Sequence, residues 1–191
     1  AEAAKEDLDI PFLVGDISSL SSVLDGKTYD CVLCIGTSLT HAASIEQMRH
    51  WVRNLGTALK PDGVLLLQCQ TVDNVQPGKS DPELQVLRVL PGQDGTEVFL
   101  RRTHYRWQEN KIEKLFIRVV LSSDGTIAEE RTTALQMIRK SEVQEMLHDA
   151  GFSDVQTYGH MSMSPFVEGE SDGVFVIATL QDNRRTTNGC T

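Results

Sequence analysis

Residues 29–70 read YDCVLCIGTSLTHAASIEQMRHWVRNLGTALKPDGVLLLQCQ, and this stretch decides the fold. An apolar run, Cys31 to Ile35, stops at Gly36 and gives way to Thr37, Ser38 and His41. It is apolar on both faces, as a central parallel strand should be. Ser44 and Gln47 make an S-x-x-Q capping box at a helix start. Ile45, Met48, Val52, Leu55 and Leu59 follow at helical spacing. KPDG at 60–63 ends that helix, and VLLLQCQ at 64–70 is another buried strand. PFLVGDI at 11–17 reads as an earlier short strand. The first 70 residues therefore alternate strand and helix, which predicts a parallel α/β sheet.

A strand needs only some turn to finish it. A turn this small, carrying hydroxyls and an imidazole, suits a ligand that comes close. Ligands of open α/β sheets sit at the carboxyl ends of the strands. Gly36 lets backbone approach a ligand, Thr37 and Ser38 can hydrogen-bond polar groups, and His41 could orient a substrate or take a proton. At the end of the earlier strand, Asp16 follows Gly15. A carboxylate there can accept from an exocyclic amine such as that of adenine, while Ile17 offers an apolar edge. The plainer alternative makes Asp16 a turn cap, Thr37 and Ser38 turn formers, and His41 a surface residue.

Farther along, TVDNVQPGKSDPE at 71–83 is a polar loop. Segments 97–108, 111–121 and 129–139 are separated by EN and SSDGT, good turn chemistry. They predict an antiparallel ribbon, with Leu115, Ile117, Val119 and Leu121 forming a mostly apolar face; the whole insertion spans about 84–139. A helix returns at 141–150, capped by Ser141 and Gln144, with Val143, Met146, Leu147 and Ala150 as its buried stripe. Gly151 stops it. VQTYGH and residues 173–180 read as closing strands, residues 1–9 as the last turns of a helix, and 181–191 as a loose tail.

The 191 residues are 40% hydrophobic, enough for one domain with a real core. The formal charge is −9 and no long basic run occurs, which argues against nucleic-acid and anionic-membrane partners. Apolar stretches are strand-length, far below the roughly 18 residues of a membrane span. The first residues match no signal or transit peptide, so a cytoplasmic location is expected. Cys31 and Cys34 spell C-x-x-C inside a strand. Residues three apart on a strand face opposite sides, so both read as core cysteines and no metal site is expected.

The order of these elements resembles the class I S-adenosylmethionine-dependent methyltransferases. The similarity rests on an acid after a strand (Asp16), the YD-x-V strand opening at 29–32, LKPDGVLLL at 59–67, and MLHDAGF at 146–152. CIGTSLTHA at 34–42 further resembles the small-molecule branch that includes glycine N-methyltransferases, with its G-N-S-x-x-H pattern. That branch also carries an antiparallel insertion after the fifth strand. The resemblance covers residues 1–180 and implies a partial Rossmann-like methyltransferase sheet. It implies S-adenosylmethionine as cofactor, held by Asp16, Ile17, Ile35, Gly36, Ser38 and His41. It implies an acceptor site near Thr37 and the ribbon, where Arg101, Arg102, His104, Tyr105, Trp107 and Arg139 could meet the acceptor; an arginine would suit a carboxylate. Tyr158 and His160 could close that pocket. His41 is the candidate catalytic residue, for orientation or proton removal. Thr37 stands where the branch has asparagine, so glycine does not carry over as the acceptor.

The family's glycine-rich loop after its first strand, and the acid after its second, have no counterpart in this sequence. In the family those strands lie between the third and the fourth. The expectation is a methyltransferase lacking its first two strands, with impaired activity, acting on nitrogen or oxygen of a small metabolite. A homo-oligomer would cover the open strand edges. The alternative is a non-catalytic interaction or scaffold protein with a methyltransferase-like fold.

Overall fold

The computed structural model describes residues 10–77, 84–92, 95–121 and 127–181. Two four-stranded sheets organise them. The first holds β1 (Tyr29–Cys34), β2 (Leu59–Gln70), β8 (Gly173–Leu180) and β7 (Phe152–Tyr158), in the order β1-β2-β8-β7. The second is made by β3 (Leu84–Gly92), β4 (Gly95–Arg106), β5 (Lys111–Leu121) and β6 (Ile127–Gln136), in sequence order.

β1 and β2 run parallel, with Val32 opposite Leu65 and Cys34 opposite Leu67. Their connection is α2 (Ile45–Thr57), which follows a short helix α1 (Leu20–Val23). The periodicity placed α2 correctly: Met48, Val52 and Leu55 are buried. Ser44 Oγ caps it, accepting from Gln47 N at 3.2 Å, while Gln47 Oε1 reaches one residue further back to Ala43 N. β8 and β7 add antiparallel. The alternate residues Leu65, Leu67, Val176 and Ala178 meet α2 and α3 (Lys140–Asp149) in one core, with Val143, Met146 and Leu147 supplied by α3. Each of the larger side chains among them contributes about 1.5–3 kcal/mol by leaving water. Arg49 ties the two helices together, its guanidinium 2.6 Å from Asp149 and 3.1 Å from Glu145.

Several expectations change. Residues 11–16 form no strand, and Phe12, Leu13 and Val14 are exposed. A strand exists only by pairing, and no described strand lies alongside this segment. α3 begins at Lys140 rather than at Ser141; Glu142, not Gln144, reaches back to the Arg139 amide at 2.8 Å. KPDG does not separate helix from strand. Lys60–Gly63 bulges within β2, and Lys60 Nζ lies 2.9 Å from both Asp30 oxygens. Cys34 and Cys69 are buried, but Cys31 is exposed, on the same face of β1 as the exposed Leu33. β3 is an additional strand on the ribbon. The readings of 1–9, 78–83, 122–126 and 182–191 fall outside the described residues.

The inserted sheet seats on the first sheet through its proximal end. Ile112 and Leu135 pack with Val72 and Met137, joined by Tyr105 and Trp107, whose rings stack at 6.2 Å. The buried face of β5 is thus that of Ile112 and Lys114. The face of Leu115, Ile117 and Val119 is only half-buried, and Leu121 is exposed.

Leu147 is fully buried between α3 and the sheet. Leu147→Ala is expected to lower the unfolding free energy by about 2–5 kcal/mol, read as a lower midpoint with unchanged slope in urea denaturation.

Candidate functional site at the strand ends

Parallel pairing brings the carboxyl ends of β1 and β2 together. Beyond β1 the chain turns at Gly36 (φ 74°) and Thr37 (φ 66°), both left-handed. The conformation is natural for glycine but costs a β-branched residue about 1–3 kcal/mol. The turn is held from three sides. Gly36 N donates to Gln68 Oε1 at 3.1 Å, Ser38 Oγ donates to the Ile35 carbonyl at 2.9 Å, and the buried Thr40 hydroxyl donates to the Thr37 carbonyl at 2.8 Å. Backbone strain kept in place by such a set of bonds is a mark of functional loops.

Two recesses flank this turn. One is an apolar cleft of about 410 Å³, whose walls include Ile17, Leu20, Ile35 and Ser38. Its outer turn, Ile17–Ser19, hangs on α2: Trp51 Nε1 donates to Ser18 Oγ at 2.8 Å and Asn54 Nδ2 to the Ile17 carbonyl at 2.8 Å. Asp16 caps that turn, accepting from Ser18 N at 2.7 Å. The Ser18 amide, and then its hydroxyl, hold the Asp16 carboxyl below the usual carboxylate range.

The other recess is a polar cavity of about 200 Å³ between the first sheet and the inserted one. Thr37, Gln68 and Gln70 face Arg101 and Lys114 across it, with Asp172 and His160 also in the lining. Lys114 is buried and donates from Nζ to Gln70 Oε1. Burial, then the neighbouring Arg101 charge, push the Lys114 ammonium down to about 8, with Asp172 opposing. Three residues earlier on β5, Lys111 Nζ reaches the Ala43 carbonyl at 2.6 Å and Gln136 Oε1 at 2.7 Å. The inserted sheet is therefore fastened to both strand ends.

Of the residues singled out from sequence, Ile17, Ile35 and Ser38 line the cleft, Asp16 caps the turn beside it, and Thr37 lines the cavity. Gly36 lies between the two. His41 ends the turn Ser38–His41 and is exposed. Arg139 precedes α3, away from the cavity lining. Tyr158 donates its hydroxyl to Gln156 at 2.9 Å and leans on Phe175 rather than lining the cavity. Arg102 and His104 are exposed on the opposite face of β4 from Arg101. Sequence reasoning missed Gln68, Gln70 and Lys114. The signal for the glutamines was present: two amides alternating at the end of an apolar strand. Among the described residues no group of three or more His, Cys, Asp or Glu could hold a metal, and no helix is long and apolar enough to cross a membrane.

Comparison with solved structures places this architecture. The chain superposes on an S-adenosylmethionine-dependent methyltransferase from Clostridium acetobutylicum with a TM-score of 0.73, at 10% identity over 95% of this chain and 69% of that one. It superposes on a sugar N-methyltransferase from a Streptoalloteichus species with a TM-score of 0.70, at 18% identity over 95% and 67%. The fold is that of the class I S-adenosylmethionine-dependent methyltransferases. In sequence, the chain is 27% identical over 142 residues to a glycine/sarcosine N-methyltransferase of Aphanothece halophytica, a match covering 70% of this chain and 45% of that protein. A second such enzyme, from Halorhodospira halochloris, is 26% identical over 133 residues. The chain thus spans about half the length of the relatives it matches. No protein-family model matches it.

Lys114 titrates lower in the folded chain than its ordinary value near 10.5. Between about pH 8 and pH 10.5 the unfolded chain holds this proton more fully, so this group makes the fold more stable as pH rises through that window. Lys114→Met should remove that part of the slope. The check is urea unfolding of both proteins at pH values across the window, compared as a difference.

Proposed function

We propose that the chain carries out methyl transfer from S-adenosylmethionine to nitrogen or oxygen of a small metabolite. The observation that carries this reading is the strained Gly36–Thr37 turn, standing between an apolar cleft and a polar cavity at the ends of two parallel strands. The glycine/sarcosine and sugar N-methyltransferase relatives support it.

When bound, the donor supplies a methyl group on a sulfonium, ready for direct displacement. The chain's own task is alignment, which can be worth several kcal/mol of a barrier. Ile17 and Ile35 would clasp the purine faces, Asp16 would accept from its exocyclic amine, and Ser38, bonded to the Ile35 carbonyl, would keep the cleft wall in place. Gly36 has no side chain to keep a ligand off the backbone. Thr37, on the cavity side, would orient the acceptor together with Gln68 and Gln70. An amine that arrives deprotonated needs no strong base; His41 is the proposed group for orienting the acceptor or taking its proton. Arg139 and Tyr158 lie outside the lining, so acceptor contacts fall to the cavity residues.

Calorimetric titration of the chain with S-adenosylhomocysteine tests the reading. Binding should be measurable, and Asp16→Ala should weaken it about tenfold, the scale of one hydrogen bond to a charged group. A folded chain that binds neither S-adenosylhomocysteine nor S-adenosylmethionine would instead favour a non-catalytic scaffold of methyltransferase fold.

A further inference from the structure

We propose that Gln68 is a positioning residue that links the two recesses: the oxygen of its amide holds the Gly36–Thr37 turn while its NH2 group belongs to the acceptor cavity, so that the donor cleft is set from the acceptor side. The assignment of the recesses to donor and acceptor rests on the methyltransferase reading above.

Gln68 stands near the carboxyl end of β2, between Leu67 and Cys69, which are buried on the opposite face of the strand. Its backbone pairs with Phe175 of β8, so the side chain springs from a fixed base. The sense of the amide is fixed as well. The Gly36 N–H is a donor, so the atom that it meets at 3.1 Å is the Gln68 oxygen. The NH2 group is the other branch of the same plane. Gln68 lines the polar cavity, and its Nε2 has no hydrogen-bond partner among the described residues.

The turn needs this tie. Thr37 sits at φ 66°, a conformation that a β-branched residue keeps only where its surroundings enforce it. The Ser38 and Thr40 hydroxyls each reach back three residues, to the Ile35 and Thr37 carbonyls. Those bonds travel with the turn. The Gln68 bond spans 32 positions and fastens the turn to a different strand. That strand is the firmer one. β2 pairs on both sides, with β1 and β8, whereas among the described residues β1 pairs with β2 alone.

Ile35 and Ser38, on either side of the turn, line the apolar cleft, and Gln68 does not. A change on the cavity side therefore reaches the cleft wall through one amide. A ligand that accepts from Nε2 polarises that amide, and its oxygen becomes a stronger partner for the Gly36 N–H. Linkage makes the effect reciprocal: a donor that orders the turn also settles the Gln68 NH2 group.

The test uses the whole isotopically labelled chain and two variants. Gln68→Met removes both branches of the amide. Gln68→Glu keeps an oxygen for Gly36 and removes the NH2 donor. In Gln68→Met the Gly36 amide should exchange with solvent about tenfold faster, the scale of one lost hydrogen bond. The Leu67 and Val176 amides should keep the parent's protection. S-adenosylhomocysteine should bind Gln68→Met about tenfold more weakly, and Gln68→Glu within about twofold of the parent. In the parent, saturating S-adenosylhomocysteine should shift the Gln68 side-chain NH2 resonances, a response that a merely structural side chain outside the cleft would not give. Parent-like affinity in Gln68→Met, binding in Gln68→Glu as weak as in Gln68→Met, or unmoved Gln68 resonances would each overturn the proposal. A parent chain that binds no S-adenosylhomocysteine, while Gly36 exchange still follows Gln68, is a different failure. It removes the methyltransferase reading and leaves Gln68 as a fastener of the turn alone.

Discussion

The parallel pairing of β1 with β2 is the constraint from which the remaining geometry follows. Its register sets Cys34 beside Leu67, so the two strands end together and the Gln68 side chain comes within reach of the Gly36 amide. Parallel strands cannot be joined by a tight turn and need a crossover of about a dozen residues or more, usually helical; α2 fills that role. Once placed, α2 buries Met48, Val52 and Leu55 on one side and uses Trp51 and Asn54 to hold the Ile17–Ser19 turn. The wall of the apolar cleft is thus set by the same helix that makes the strand pairing feasible.

A second sheet would close nothing if it hung freely from the end of β2. It is seated by an apolar joint around Val72, Ile112 and Leu135, and fastened by two lysines of β5. Lys111 reaches the loop after β1 and Lys114 the end of β2. These polar reaches flank the joint, so the cavity walls come from two sheets that touch along a narrow seam. The division of labour is visible along β4 and β5. The end with Tyr105 and Ile112 is core, the middle with Arg101 and Lys114 is site, and beyond it Phe99 lines an open apolar hollow.

Much of the fold was legible because the responsible signals are local. The helical spacing from Ile45 to Leu55, the glycine after Ile35, and the alternation from Lys111 to Leu121 each depend on near neighbours. PFLVGDI misled for the opposite reason. Its composition says strand, but strand formation is decided by what lies alongside, which a single segment does not encode. The α3 cap lies two residues earlier than expected because Glu142, not Gln144, reaches back to the chain entering the helix. At the site, the Gly36 turn could be found from small polar residues ending an apolar run. Lys114 could not. A lysine alternating with apolar residues looks like a solvated face, and its burial arises only because the inserted sheet folds back over Gln70.

One feature of β1 reaches beyond architecture. Among the described residues it pairs with β2 alone, and Tyr29, Leu33 and Ile35 are exposed. Strands with few partners belong to the least protected units of a protein, opening at free energies well below that of global unfolding. The Gly36–Thr37 turn is attached to this strand. Local opening of β1 would therefore dismantle the turn while α2, α3 and β8 stay folded. The lifetime of the site is then set by a sub-global fluctuation, and whatever seats against the free edge of β1 would lengthen it without touching a ligand.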